Sequence, residues 1–210
     1  MSGNYYIIYN DGIKKKIEPD CKDNHELLLK FFDIHNGTRT VWGRLIRLSL
    51  YNNHHIRVKE GFNVGEDWQQ TPLLAYYANI IATLDEFAYY YDCTNAQSYI
   101  HSYQKALYCE QTVESLSIVE SFFADKEQEY KEASHRLSIC KLKQFLHIAA
   151  KNRNKHAFDQ IKTIILSNYS DCLNVIGWDN SINRVFRCNY ALHSSYRCLY
   201  EFGKEIVKHL

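Results

Sequence analysis

The spacing of the apolar residues changes along the chain, and that change limits the folds open to it. Residues 5 to 9 form a β-prone run, Asn10-Asp11-Gly12 is a hairpin signal, and residues 13 to 17 supply a second short strand. A short helix follows, capped by Asp23 or Asn24, with Leu27, Leu28, Phe31 and Phe32 on its apolar side and Asn36-Gly37 as its stop. Residues 42 to 51 read as a strand end passing into a short helix, followed by an extended piece from 56 to 58. After Asp67 the spacing turns helical: Leu73, Tyr77, Ile80, Ile81 and Leu84 share one face. Pro72 falls close to the start of that helix, where its missing N–H is tolerated. Residues 87 to 91, Phe-Ala-Tyr-Tyr-Tyr, return to β-prone aromatic sequence and lead into a polar loop through Asn95 and Ser98.

From about residue 103 onward the pattern is helical throughout. Cys109, Val113, Leu116, Val119 and Phe123 make one stripe, and Leu142, Phe145, Leu146 and Ala149 make another. Val185, Cys188, Leu192, Tyr196, Leu199, Phe202 and Ile206 make a third. The expected architecture is α+β or α/β: a partial layer of a few strands and helices over residues 1–102, then an all-helical region over 103–210.

Charge and cysteine usage narrow the function classes. Lys plus Arg total 25 against 24 Asp plus Glu, and a net charge of +1 gives no global reason to expect a nucleic-acid partner. The composition is biased toward aromatics, with 17 Tyr and 10 Phe; Tyr serves both sugar-docking surfaces and cores with a wet edge. Cys21, Cys93, Cys109, Cys140, Cys172, Cys188 and Cys198 form no CxxC pair and no zinc spacing. Without a signal-peptide pattern they read as reduced thiols of a cytoplasmic protein, at most peripheral to the inner face of the membrane. On that reading Asn36-Gly37-Thr38 and Asn168-Tyr169-Ser170 are chance glycosylation-like triplets.

The sharpest local chemistry lies in Gly61-Phe62-Asn63-Val64-Gly65-Glu66-Asp67-Trp68, a glycine-framed loop that delivers two adjacent carboxylates to a helix start. A flexible glycine approach lets a substrate hydroxyl reach a carboxylate, and a second acid beside it raises its proton affinity, which suits a general base. The alternative is that Glu66 and Asp67 cap the helix, since acids favour helix N-termini. Upstream, Thr40-Val41-Trp42-Gly43-Arg44-Leu45 offers an indole that could carry a pyranose face or pack in the core, and an Arg that could meet a diphosphate or stand as a solvated helix charge. Trp68 and Tyr91 are weaker candidates for the same site. The His54-His55 pair has no HxH or HExxH company, so no metal site is expected from the histidines.

In this order the pieces resemble the acceptor half of a family 2 glycosyltransferase of the GT-A type over residues 5 to 104. The series runs through the Tyr-rich strand and Asp-Gly turn, Trp42-Gly43-Arg44-Leu45, Ser49-Leu50-Tyr51, Asn52-Asn53, Glu60-Gly61 and Gly65-Glu66-Asp67. It continues with Tyr76-Tyr77-Ala78, Leu84-Asp85-Glu86 and Tyr89-Tyr90-Tyr91. The resemblance implies Asp67 as the catalytic base of an inverting transfer from a nucleotide-sugar to a cell-surface glycan, with Glu66 positioning acceptor or base. Trp42, Arg44 and, more weakly, Trp68 and Tyr91 are the expected substrate-binding residues beside them, on the chemistry of their side chains.

The sequence departs from that family in its donor half. There is no Asp-x-Asp in the chain, and few residues precede Tyr5. No cofactor is expected in this chain, although Mn²⁺ or Mg²⁺ is implied for a complete enzyme. The expected partners are a glycan acceptor and either the missing donor half or a second copy. Two further readings stay open: a non-catalytic glycan- or protein-binding remnant with a helical interaction tail, and an unrelated helical interaction protein whose Gly-Glu-Asp loop is coincidental.

Overall fold

The computed structural model describes residues 1–18, 21–33, 39–95, 106–151 and 153–169. The Asn36-Gly37 stop, Ser98 and the stripe from 185 to 206 lie outside them. The fold is α+β: among the described residues, one small mixed sheet and six helices. Two compact units divide the chain, one of Met1–Tyr103 with Glu110–Ser138, the other of Gln104–Cys109 with Ile139–Leu210.

The first unit is built around strand β1 (Ser2–Tyr9), which pairs with β2 (Gly12–Lys16) and β3 (Thr83–Asp92) in the order β2-β1-β3. The Asn10-Asp11 turn closes an antiparallel hairpin in which Tyr9 faces Gly12, and Gly12 takes the positive φ of 143° that the turn requires. β3 returns parallel to β1, with Tyr5 opposite Tyr89 and Ile7 opposite Tyr91, after register shifts around Asn4. Between these strands lie helix α1 (Asn24–Phe32), the short α2 (Leu48–Asn53) and α3 (Glu66–Tyr77). Asp23 caps α1 by accepting from the Glu26 N–H at 2.8 Å.

An aromatic core ties α1 and α3 to α4 (Ala106–Phe123) and the start of α5 (Gln128–Lys151). Phe32 and Tyr76 both meet the fully buried Phe123 edge-on, at 5.3 and 5.8 Å between ring centres. Tyr130 closes the cluster and bonds His25 Nδ1 through its hydroxyl at 2.8 Å. Such edge-to-face pairs add to the burial of large rings, which dominates the stability of a core this size.

In the second unit, α5 buries Leu142, Phe145, Leu146 and Ala149, the stripe expected from the sequence. Helix α6 (Lys155–Asn168) buries Ala157, Phe158, Ile161 and Ile165 and is capped by the Asn154 side chain. Among the described residues no helix is long and apolar enough to cross a membrane.

The helical stripe read from Leu73 to Leu84 is corrected. α3 stops at Tyr77, and the chain is already in β3 at Thr83. Pairing with β1 takes Leu84 into the ladder opposite Gly3, while Ile80 is left 85% exposed. Tertiary hydrogen bonding has overridden a fortuitous helical spacing. Pro72 is also deeper than expected, a buried residue inside α3, where it removes one intrahelical donor. Residues 41 to 43 form a turn rather than a strand end, and residues 56 to 58 belong to no strand, although Ile56 is buried.

Candidate functional site

The loop that carries the acidic pair is fixed by its glycines. Gly61 and Gly65 have φ of 82° and 81°, the left-handed region that side chains resist. Gly65 precedes α3, and its carbonyl accepts from the Trp68 and Gln69 N–H groups at 3.0 and 3.2 Å. A Cβ on Gly65 would lie 2.6 Å from Ser115 Oγ on α4, so only glycine fits there. Glu66 and Asp67 therefore enter α3 in its first turn at a position set by tight packing behind them.

Asp67 is half-buried, and its carboxyl is pushed up from 3.8 to about 6. Burial is the main cause and the neighbouring Glu66 charge the second; the Val41 backbone N–H and Arg44 pull the other way. A carboxylate in the first turn of a helix would ordinarily be held low by the helix dipole, so here desolvation wins over the dipole. Two phenols feel the same charge. Burial and then Asp67 raise Tyr51, and burial, followed by Cys93, Tyr89 and only then Asp67 and Glu66, raises Tyr91. Tyr51 donates to Gln70 Oε1 at 3.0 Å, which fixes its ring beside the first turns of α3.

The structure gathers the upstream cluster around this acid but engages its members internally. Trp42 stacks on Tyr89 at 4.7 Å and on Tyr91 at 4.9 Å, and meets Tyr5 edge-on at 4.8 Å. Arg44 is no solvated helix charge. It forms an isolated bridge with Ser2, its Nε donates to the Thr40 carbonyl at 2.8 Å, and its guanidinium faces Glu18 at 3.6 Å with both side chains under 10% exposed. Trp68 lies under the Arg39 guanidinium at 5.6 Å. Asp67, Glu66, Tyr91, Arg44 and, through its stack on Tyr91, Trp42 thus belong to one neighbourhood.

No family model, curated protein or solved structure matches the chain. The site stands on its geometry.

Sequence reasoning missed Tyr51 as a neighbour of Asp67, and it missed Gln111 and Ser115 behind the loop. Tyr51 lay within reach, since Ser49-Leu50-Tyr51 was already singled out. Gln111 and Ser115 had no local signal, because they approach from a helix more than forty residues further on.

Among the described residues no group of three or more His, Cys, Asp or Glu side chains could hold an ion, and the sequence has no Asp-x-Asp. What the arrangement offers is a carboxylate that is ionised at neutral pH yet more basic than an ordinary aspartate, where a glycine loop passes into a helix. That is the proton affinity a general base needs.

Proposed function

We propose that this chain is the acceptor side of an inverting family 2 glycosyltransferase, with Asp67 as the base. The raised carboxyl of Asp67 at the loop-to-helix junction carries the reading. An acceptor hydroxyl gives its proton to an Asp67 carboxylate oxygen. The hydroxyl oxygen forms a bond to the anomeric carbon, and the bond from that carbon to the diphosphate oxygen breaks, the electron pair leaving with the diphosphate. Glu66 holds the acceptor or tunes Asp67, and Tyr91 with its Trp42 stack walls the site. The donor half and its cation come from outside this sequence.

A second reading, a non-catalytic glycan-binding protein, is favoured by one observation. Trp42 packs on β3 and Arg44 faces Glu18, so both residues expected to meet a donor already have intramolecular roles.

Joining the chain to the donor half of a family 2 enzyme tests the first reading. The chimera should transfer sugar, Asp67→Asn should lower the rate by about 10²–10⁴-fold with donor binding intact, and Glu66→Gln should do less. Undiminished transfer by the Asp67→Asn chimera refutes the assignment. Oligosaccharide binding by a chimera that never transfers supports the second reading.

A further inference from the structure

The loop that presents Asp67 is held from behind by one amide side chain. Gln111 lies on α4 and is buried at 8% exposure. Its Oε1 accepts from the backbone N–H groups of Asn63 and Val64 at 3.0 and 3.1 Å, and its Nε2 donates to the Gly61 carbonyl at 3.0 Å. A single side chain thereby satisfies three backbone groups of a loop that has no ladder of its own. One turn later, Ser115 Oγ donates to the Gln111 carbonyl at 2.8 Å and accepts from Gln69 Nε2 at 3.1 Å. The Gln69 Oε1 in turn accepts from the Lys59 N–H at 3.0 Å. The loop is therefore tied at its start, along its length and, through the close approach of Ser115 to Gly65, at its end.

We propose that Gln111 is a positioning residue for the acceptor site: its amide sets the path of residues 61–64 and hence the depth at which the first turn of α3 seats Asp67. This rests on the reading of Asp67 as the base. The groups that set the Asp67 carboxyl are Glu66, the Val41 N–H and Arg44, and the Tyr51 and Tyr91 phenols that face it feel its charge in turn. Gln111 acts only by fixing where the turn sits. If the loop loosens, the first turn swings toward water and the desolvation that makes Asp67 basic is lost.

The test is a carboxyl-carbon NMR titration of Asp67 in the chain as it stands. Gln111→Met keeps the length of the side chain and removes its hydrogen bonds. In a folded Gln111→Met protein Asp67 should titrate lower than in wild type by about one pH unit or more, on the way back to an ordinary aspartate. Val119→Ala, which opens a small core void on the same helix without touching the loop, should leave Asp67 where it was. An unmoved Asp67 in Gln111→Met, or an equal fall in Val119→Ala, overturns the proposal. Hydrogen exchange in the wild-type chain gives a measure that needs no variant. The Asn63 and Val64 amides should exchange slowly, and exchange at open-loop rates would show that no clamp exists. The titration also separates the two ideas. An Asp67 near 4 in wild type would undo the base reading, whereas an Asp67 near 6 in both proteins would undo only the clamp.

Discussion

A base seated by burial and a simple helix cap respond to Asp67→Asn with opposite signs. A rise of the Asp67 carboxyl from 3.8 to about 6 corresponds to about 3 kcal/mol of ionisation penalty in the folded state at neutral pH. Because the side chain is only half-buried, solvent screening brings this to about 2 kcal/mol. The pH dependence follows from linkage. Below 3.8 the group is protonated folded and unfolded, and no penalty exists. Between 3.8 and 6 the unfolded chain ionises first, so stability falls as pH rises; above 6 the loss is complete. Asn keeps the shape and still accepts from the Val41 N–H, but it never ionises.

Asp67→Asn should therefore stabilise the protein by about 2 kcal/mol at pH 7.5, or about 1 M in urea midpoint at an m-value of about 2 kcal/mol/M. The gain should shrink on acidification and vanish near pH 4. A helix cap predicts the reverse, a loss of about 0.3–1 kcal/mol when the first-turn charge is removed. Urea unfolding of both proteins at pH 4 and pH 7.5 decides the matter. An Asn variant that is no more stable at pH 7.5, or whose advantage does not change with pH, refutes the seating of Asp67 argued above. A stabilising change that abolishes transfer would be the ordinary trade of stability for activity at a working site.

The parts of this fold that were legible in the sequence are those decided by local chemistry. Asn10-Asp11-Gly12 admits few structures other than a tight turn, Asp23 is an N-cap by its hydrogen-bonding reach, and the buried α5 stripe and the Leu116, Val119 and Phe123 part of the α4 stripe follow from the 3.6-residue period. The candidate acid was legible for the same reason, since a Gly-Glu-Asp step at a helix start is a local pattern. The basicity of Asp67 was only half legible. The adjacent Glu66 could be read, but the larger cause is burial, which depends on the first turn of α3 packing beside Val41 and Tyr51. The parallel β1–β3 pairing joins residues about eighty positions apart, and no local period announces it. Without it Leu84 reads as the next turn of a helix. Arg44 read as a lone cation because Glu18, its partner, lies at the far end of the hairpin in sequence.

Two further substitutions probe the frame of the site. Gly65→Ala places a Cβ at φ 81° and within 2.6 Å of Ser115 Oγ, so a loss of about 2 kcal/mol or more in urea unfolding is expected. Measured against a Ser115→Gly background, in which the clashing hydroxyl is absent from both proteins, Gly65→Ala should cost only the dihedral part; no cost there would show that the left-handed backbone carries no strain. Glu18→Gln keeps the size of the side chain but leaves the Arg44 guanidinium in a buried position without its facing carboxylate, a loss of about 3 kcal/mol. The effect on Asp67 is the more telling result. Arg44 draws the Asp67 carboxyl down while its charge is offset by Glu18. With the Glu18 charge gone, the guanidinium acts on Asp67 with less opposition, so Asp67 should titrate lower in Glu18→Gln than in wild type. An Asp67 that titrates unchanged in a folded Glu18→Gln protein would mean that the Arg44–Glu18 pair ties the segment after β2 to the 40–44 turn without tuning the acid.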